Sequence, residues 1–212
     1  MRASELSILI ILIISFAIPI YLYPGLPDDI VSHWNAAGEV DGYMPKFWGL
    51  FLTPMIGFGM LLLFMVIPRV DPLKANIKKF RGYFDAFIVI MILFLFYLQL
   101  IIISWSLGFR FDIIQMMSPA FAIIFYYAGI LIEHTKRNWF IGIRTPWTLS
   151  SDRVWNKTHK RGAKLFKLSG AIILFGVLFP DIAMYFILIP ILLSSFYLIV
   201  YSYFEYKKEK KK

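Results

Sequence analysis

The chain predicts an all-α polytopic membrane bundle of about six transmembrane helices, with both termini in the cytoplasm. Three observations carry that reading. Hydrophobic residues make up 59% of the 212 and the mean hydropathy is +0.71, above the range of an ordinary soluble domain. Only 17% of residues are charged, and they cluster between apolar runs. The runs approach the ~20 residues a helix needs to cross a ~30 Å hydrocarbon core.

The expected spans lie at roughly 6–24, 48–67, 84–105, 113–132, 163–179 and 182–204. Spans this apolar should be helical, because a helix satisfies its own backbone in lipid. The first follows a single arginine, as a signal peptide would. No small-x-small cleavage site follows it, so it reads as a retained span. A loop at 25–47 separates spans one and two. Spans five and six are divided only by Pro180 and Asp181, which predicts a tight helical hairpin. Three units result: an N-terminal region 1–83, two central spans at 84–132, and a C-terminal region 133–212 with a loop at 133–162. Spans 1–3 and 4–6 form triplets of opposite orientation, compatible with an inverted repeat, but the halves share no residue-level match.

Charge orients the bundle. With the N-terminus inside, 20 of the 22 Lys and Arg fall on the cytoplasmic side and only Lys46 and Arg110 lie outside. Topology and anionic lipid thus account for the net charge of +9, and no direct nucleic-acid partner is needed. The tail EYKKEKKK reads the same way, as a lipid or stop-transfer anchor. Trp48, Trp105 and Trp139 sit near span ends, where interfacial tryptophans belong.

The spans contain almost no ionisable groups, which argues against a proton-coupled transporter. Gln99 stands out as a polar residue in span three and reads as helix–helix glue. Zincin, nucleophile-elbow, Walker and dinucleotide motifs are missing, so no enzyme and no cofactor is expected. The chain has no cysteine, which removes disulfides and thiolate metal sites. An alternative remains: Glu133, His134 and His159 could share a metal beside Arg144, making a membrane enzyme or lipid-handling protein.

The loop NWFIGIRTPWTLSSDRVWNKTHKR, 138–161, is the most specified stretch. Gly142 and Pro146 break any helix upstream. Ser150 or Ser151 can cap a new helix, and Asp152 favours its positive end. On that helix Trp155 and His159 are i and i+4 and share a face, with Trp155 expected among the headgroups. Arg144 is the candidate for an anionic partner, because its fork matches carboxylate or phosphate. The candidate binding residues are Asn138, Arg144, Trp147, Trp155 and His159 in this loop. In the outer loop they are His33, Trp34 and Asp41. His33 with Glu39 and Asp41 can bind a cation or order the loop by hydrogen bonds.

Asn138, Gly142, Arg144, Thr145, Pro146, Trp147, Thr148, Trp155, Thr158 and His159 together resemble the signature of the SdpI family. Pro27, His33, Trp34, Gly38, Asp41, Gly42 and Lys46 resemble a domain of unknown function often found at the N-terminus of these proteins. The resemblance covers essentially the whole chain. It implies an immunity and signalling protein of the plasma membrane that resists a secreted peptide toxin outside. It also implies a repressor protein held at the membrane inside. Under that reading the outer loop senses toxin and the inner loop and tail face the repressor.

Overall fold

The computed structural model describes residues 2–211. Its long helices are α1 (Ala3–Leu22), α2 (Lys46–Val70), α4 (Arg81–Ser106), α5 (Ile113–His134), α7 (Asp152–Ile173) and α8 (Ala183–Lys210). Two short helices, α3 (Lys74–Lys78) and α6 (Pro146–Ser150), lie in connections. Apolar side chains cover much of the outer surface, among them Ile13, Leu63, Ile123, Leu193 and Phe196. Such a surface belongs against lipid.

Five helical segments are long and apolar enough to cross a membrane: Ala3–Gly25, Lys46–Val70, Arg81–Ser106, Ile113–His134 and Pro180–Lys210. The expected span at 163–179 is not among them. Its helix, α7, starts earlier and spends its first turns on basic residues, then gives way to a 3-10 turn at Leu174–Val177. The chain nevertheless follows α5 along its length. Gly129 packs against Ala163, Gly170 against Ala122 and Gly176 against Ser118, and Gln115 Nε2 donates to the Val177 carbonyl at 2.8 Å. Glycines allow this closeness: a Cβ at Gly170 would stand 2.8 Å from the Ala122 carbonyl oxygen. The chain thus returns to the end of the bundle where α5 began. Helix α8 then runs back beside α7, with Ser169 and Ser194 hydroxyls 3.2 Å apart.

At the opposite end, Arg2 pairs with Asp85 at 2.9 Å, and the Tyr83 ring stacks on His134. Ser151 donates to Glu209 at 2.6 Å at the same end. Both described termini therefore lie at one end of the bundle, called here the signature end.

The other end carries the segment expected as a loop at 25–47. It contains a two-stranded antiparallel hairpin, β1 (Asp29–Trp34) and β2 (Val40–Pro45). The turn is closed by Asn35, whose Oδ1 accepts from the Ala37 and Glu39 amides, and by Gly38 at φ +79°. The hairpin is docked. Ile30 is fully buried and lies against Gly49 of α2, where any side chain would collide with it.

Gln99 clamps the first three long helices together. Its Nε2 donates to the carbonyls of Ser15 in α1 at 2.8 Å and Leu50 in α2 at 3.1 Å. Ser15 and Leu50 are the i−4 residues of Pro19 and Pro54, which lack the amide that would otherwise close the helical bond. The two prolines orphan two buried carbonyls, and one amide satisfies both. The expected glue role of Gln99 thus has a specific target.

Candidate functional site

The signature loop is built on buried polar bonds. Helix α5 ends at Thr135, whose hydroxyl donates back to the Ile132 carbonyl at 2.9 Å. Asn138 is fully buried and makes four bonds. Its Oδ1 accepts from the Phe140 and Ile141 amides, and its Nδ2 donates to the Lys136 and Ile141 carbonyls. These bonds use both donors and the acceptor of the amide, so Asn138 shapes the loop rather than reaching for a ligand.

The loop is tied to the rest of the bundle by Asp71, which follows α2 and is 1% exposed. Its two carboxylate oxygens accept from the Leu73 amide at 2.6 Å and the Trp139 amide at 2.9 Å. Asn76 of α3 adds a bond to the Arg137 carbonyl at 2.9 Å.

Gly142 turns the chain with φ +118°, a conformation open to glycine. The next amide, Ile143 N–H, donates to His159 Nε2 at 3.0 Å. His159 Nδ1 lies 2.8 Å from the Trp155 carbonyl. A carbonyl only accepts, so Nδ1 carries the proton, and Nε2 is the acceptor. The imidazole is neutral with both nitrogens engaged. Burial pushes its pKa down from 6.5 to about 4, against a smaller upward pull from the bond to Trp155.

Thr145 then caps α6, accepting from the Thr148 amide, while Pro146 takes the first helical position. Thr145 also lies 3.0 Å from Ser202 of α8, hydroxyl to hydroxyl. Ser151 caps α7 through the Val154 amide, as the sequence leads one to expect, and Asp152 occupies the first turn. Trp155 and His159 share a face and stack, with ring centroids 4.0 Å apart. Trp155 is not a headgroup anchor, however. It is 0% exposed, and its Nε1 donates to the Thr135 carbonyl at 3.2 Å. The Thr135 carbonyl at the end of α5 thus fixes the indole of α7.

Two of the five loop candidates remain accessible. Arg144 is exposed, and its Nη1 donates to the Trp139 carbonyl at 2.7 Å. Trp147 is half-buried, edge-on to Tyr203 of α8 at 5.2 Å. Asn138, Trp155 and His159 form the frame behind them. The tail is also more than an anchor: Glu205 is 7% exposed and pairs with Lys157 at 2.5 Å.

Glu133, His134 and His159 are not brought together as a metal site, and no group of three or more metal-ligating side chains is gathered among the described residues. Glu133 pairs with Lys167. His134 Nδ1 is 2.9 Å from the Ile130 carbonyl. His159 has no free nitrogen.

At the hairpin end, His33 and Asp41 pair across the strands at 2.5 Å and both stay exposed. Glu39 bonds to Asn35 instead of joining them. Trp34 packs edge-on against Trp105 at 5.7 Å, and its buried Nε1 has no partner among the described residues. The hairpin residues and the signature-loop residues thus sit at opposite ends of the bundle. Sequence reasoning missed Asp71, Asn76 and Thr135 as parts of the loop. No local pattern marks them, since their partners are distant in the chain.

Residues 134–202 match the SdpI/YfhL protein family, and residues 10–58 match the domain of unknown function DUF1648. These two stretches contain most of the framed loop and the hairpin. The chain is 30% identical over 211 residues to the immunity protein SdpI of Bacillus subtilis (strain 168), covering 98% of both chains. No solved structure matches. A likeness of that extent, running through both ends of the bundle, places this chain in the SdpI family of membrane proteins.

Proposed function

We propose that this protein is a non-enzymatic immunity protein of the plasma membrane, protecting its cell from a secreted peptide toxin. The full-length likeness to a named immunity protein carries this reading. The hairpin end faces outward, and His33, Trp34 and Asp41 contribute to toxin sensing. The signature end faces the cytoplasm, a reading supported by the distribution of Lys and Arg. There Arg144 and Trp147 contact a repressor protein and hold it at the membrane. Signalling requires two bundle states that toxin populates differently. The Gln99 clamp ties together α1, α2 and α4, which run from the hairpin end to the signature end.

The test is toxin challenge of cells with and without the protein, using a panel of secreted antimicrobial peptides. Protection against at least one peptide, lost in His33→Ala/Asp41→Ala but kept in Arg144→Ala, supports the division of labour. Equal killing of both strains across the panel rejects the immunity reading. Reporter fusions that place residues 25–47 in the cytoplasm reject the orientation.

A further inference from the structure

Beneath the signature loop lies an apolar slot of about 290 Å³, walled by Phe64 of α2, Phe87 of α4, Ala128 of α5, Phe166 of α7 and the backbone turn at Ile141 and Gly142. Its size is near the lower end of small-molecule sites, about 300–1,000 Å³. One wall is the segment that Asn138, Asp71 and His159 hold in place. The loop's buried polar bonds therefore keep a cavity open beneath it.

The surroundings of the slot are charged in one sense. Arg144 follows the wall residue Ile143, and its guanidinium reaches the carbonyl of Trp139. Trp139 is itself bonded to Asp71, two residues beyond Arg69. Arg69, Lys136 and Arg144 are all exposed, and no carboxylate among the described residues pairs with them. The nearby acids are engaged. Asp71 is covered and bonded to two amides, and Glu133 is paired with Lys167. Exposed Trp139 and Phe140 complete the rim. An apolar slot beside the exposed Arg144 guanidinium, which no carboxylate neutralises among the described residues, suits a molecule with a hydrocarbon tail and an anionic head. A larger hollow of about 330 Å³ between α4 and α5 is lined by apolar residues and Tyr97, without a charged group to select a head.

We propose that this slot binds one acyl chain of an anionic phospholipid, with its phosphate at Arg144. The lipid then links the loop to α2, α4, α5 and α7, and the composition of the inner leaflet bears on the loop.

Native mass spectrometry of the purified full chain, incubated with equal phosphatidylglycerol and phosphatidylcholine, tests this. One tightly retained phosphatidylglycerol is expected. Arg144→Gln should lower the preference for the anionic lipid by about fivefold, the equivalent of one cationic contact at a membrane surface. Ala128→Phe fills the slot and should abolish retention, with folding checked by circular dichroism. Phe166→Trp fills it from the α7 wall and replaces Ala128→Phe should that variant not fold. No retained lipid, a graded series of lipids without head preference, or unchanged retention in a folded slot-filling variant would overturn the proposal.

Discussion

The backbone amide of Ile143 donates to Nε2 of His159 at 3.0 Å, and this bond requires the imidazole to be neutral. A proton on Nε2 would set two donors against each other inside a site where His159 is 2% exposed. The signature loop and helix α7 are thus joined by a bond with a defined pH range.

The first prediction follows from that range. The folded pKa, about 4, lies below the ordinary value of 6.5. As pH falls, the unfolded chain takes up the proton first. Stability is therefore full above about 6.5 and declines until the folded pKa is passed. The decline contributed by this group amounts to about 3 kcal/mol at roughly 1.4 kcal/mol per unit. Melting temperatures in detergent between pH 7 and pH 4 check it. His159→Gln should lower the melt at pH 7 and flatten its dependence on pH, and a wild-type slope retained in that variant would assign the pH effect elsewhere.

Gly142→Ala is expected to destabilise the loop from two directions. The backbone stands at φ +118°, and an added Cβ would strike His159 Nε2. Strain of this kind costs about 1–3 kcal/mol. Limited proteolysis should show cleavage near 138–146 at lower protease doses than wild type. Unchanged resistance would mean that the turn tolerates a side chain.

Gln99→Leu leaves the Ser15 and Leu50 carbonyls buried without a donor. Each such loss costs about 1–3 kcal/mol. The companion experiment restores the missing amides: in a Pro19→Ala/Pro54→Ala background the carbonyls regain their helical partners. There Gln99→Leu should cost much less, and the difference is a coupling energy. Additive effects across the four proteins would disprove the clamp.

The tail prediction concerns charge. Glu205→Lys removes the pair with Lys157 and sets like charges together. A bond to a charged group is worth about 1.5–3 kcal/mol. The swap Glu205→Lys/Lys157→Glu should recover part of the lost melting temperature. If the swap melts with the single variant, the tail contributes by its apolar packing alone.

Much of this protein was legible because hydropathy is a local property. Apolar runs mark helices, Ser151 marks the start of α7, and Gly142 with Pro146 marks the break before it. The hairpin had a signal too: the turn at Asn35–Gly38 separates two short β-type runs, although the apolar spans on either side dominate the reading. The passage at 163–179 was expected as a lipid-type span. Its helix instead opens on basic turns, and its glycines pack it closely against α5, which the apolar run taken alone does not reveal.

The sequence by itself determined the class of the bundle, the separation of charge and the family. Each follows from residue type and order along the chain. Only the tertiary structure decided which residues are frame and which are surface. Trp155 and Asn138 carry the chemistry of contact residues, yet both are fully buried, while Arg144 is exposed. The deciding bonds join residues far apart in sequence: 84 positions for Gln99 and Ser15, 68 for Trp139 and Asp71, 16 for Ile143 and His159. A hydrogen bond needs its partners within about 3 Å, and only packing brings such distant groups that close.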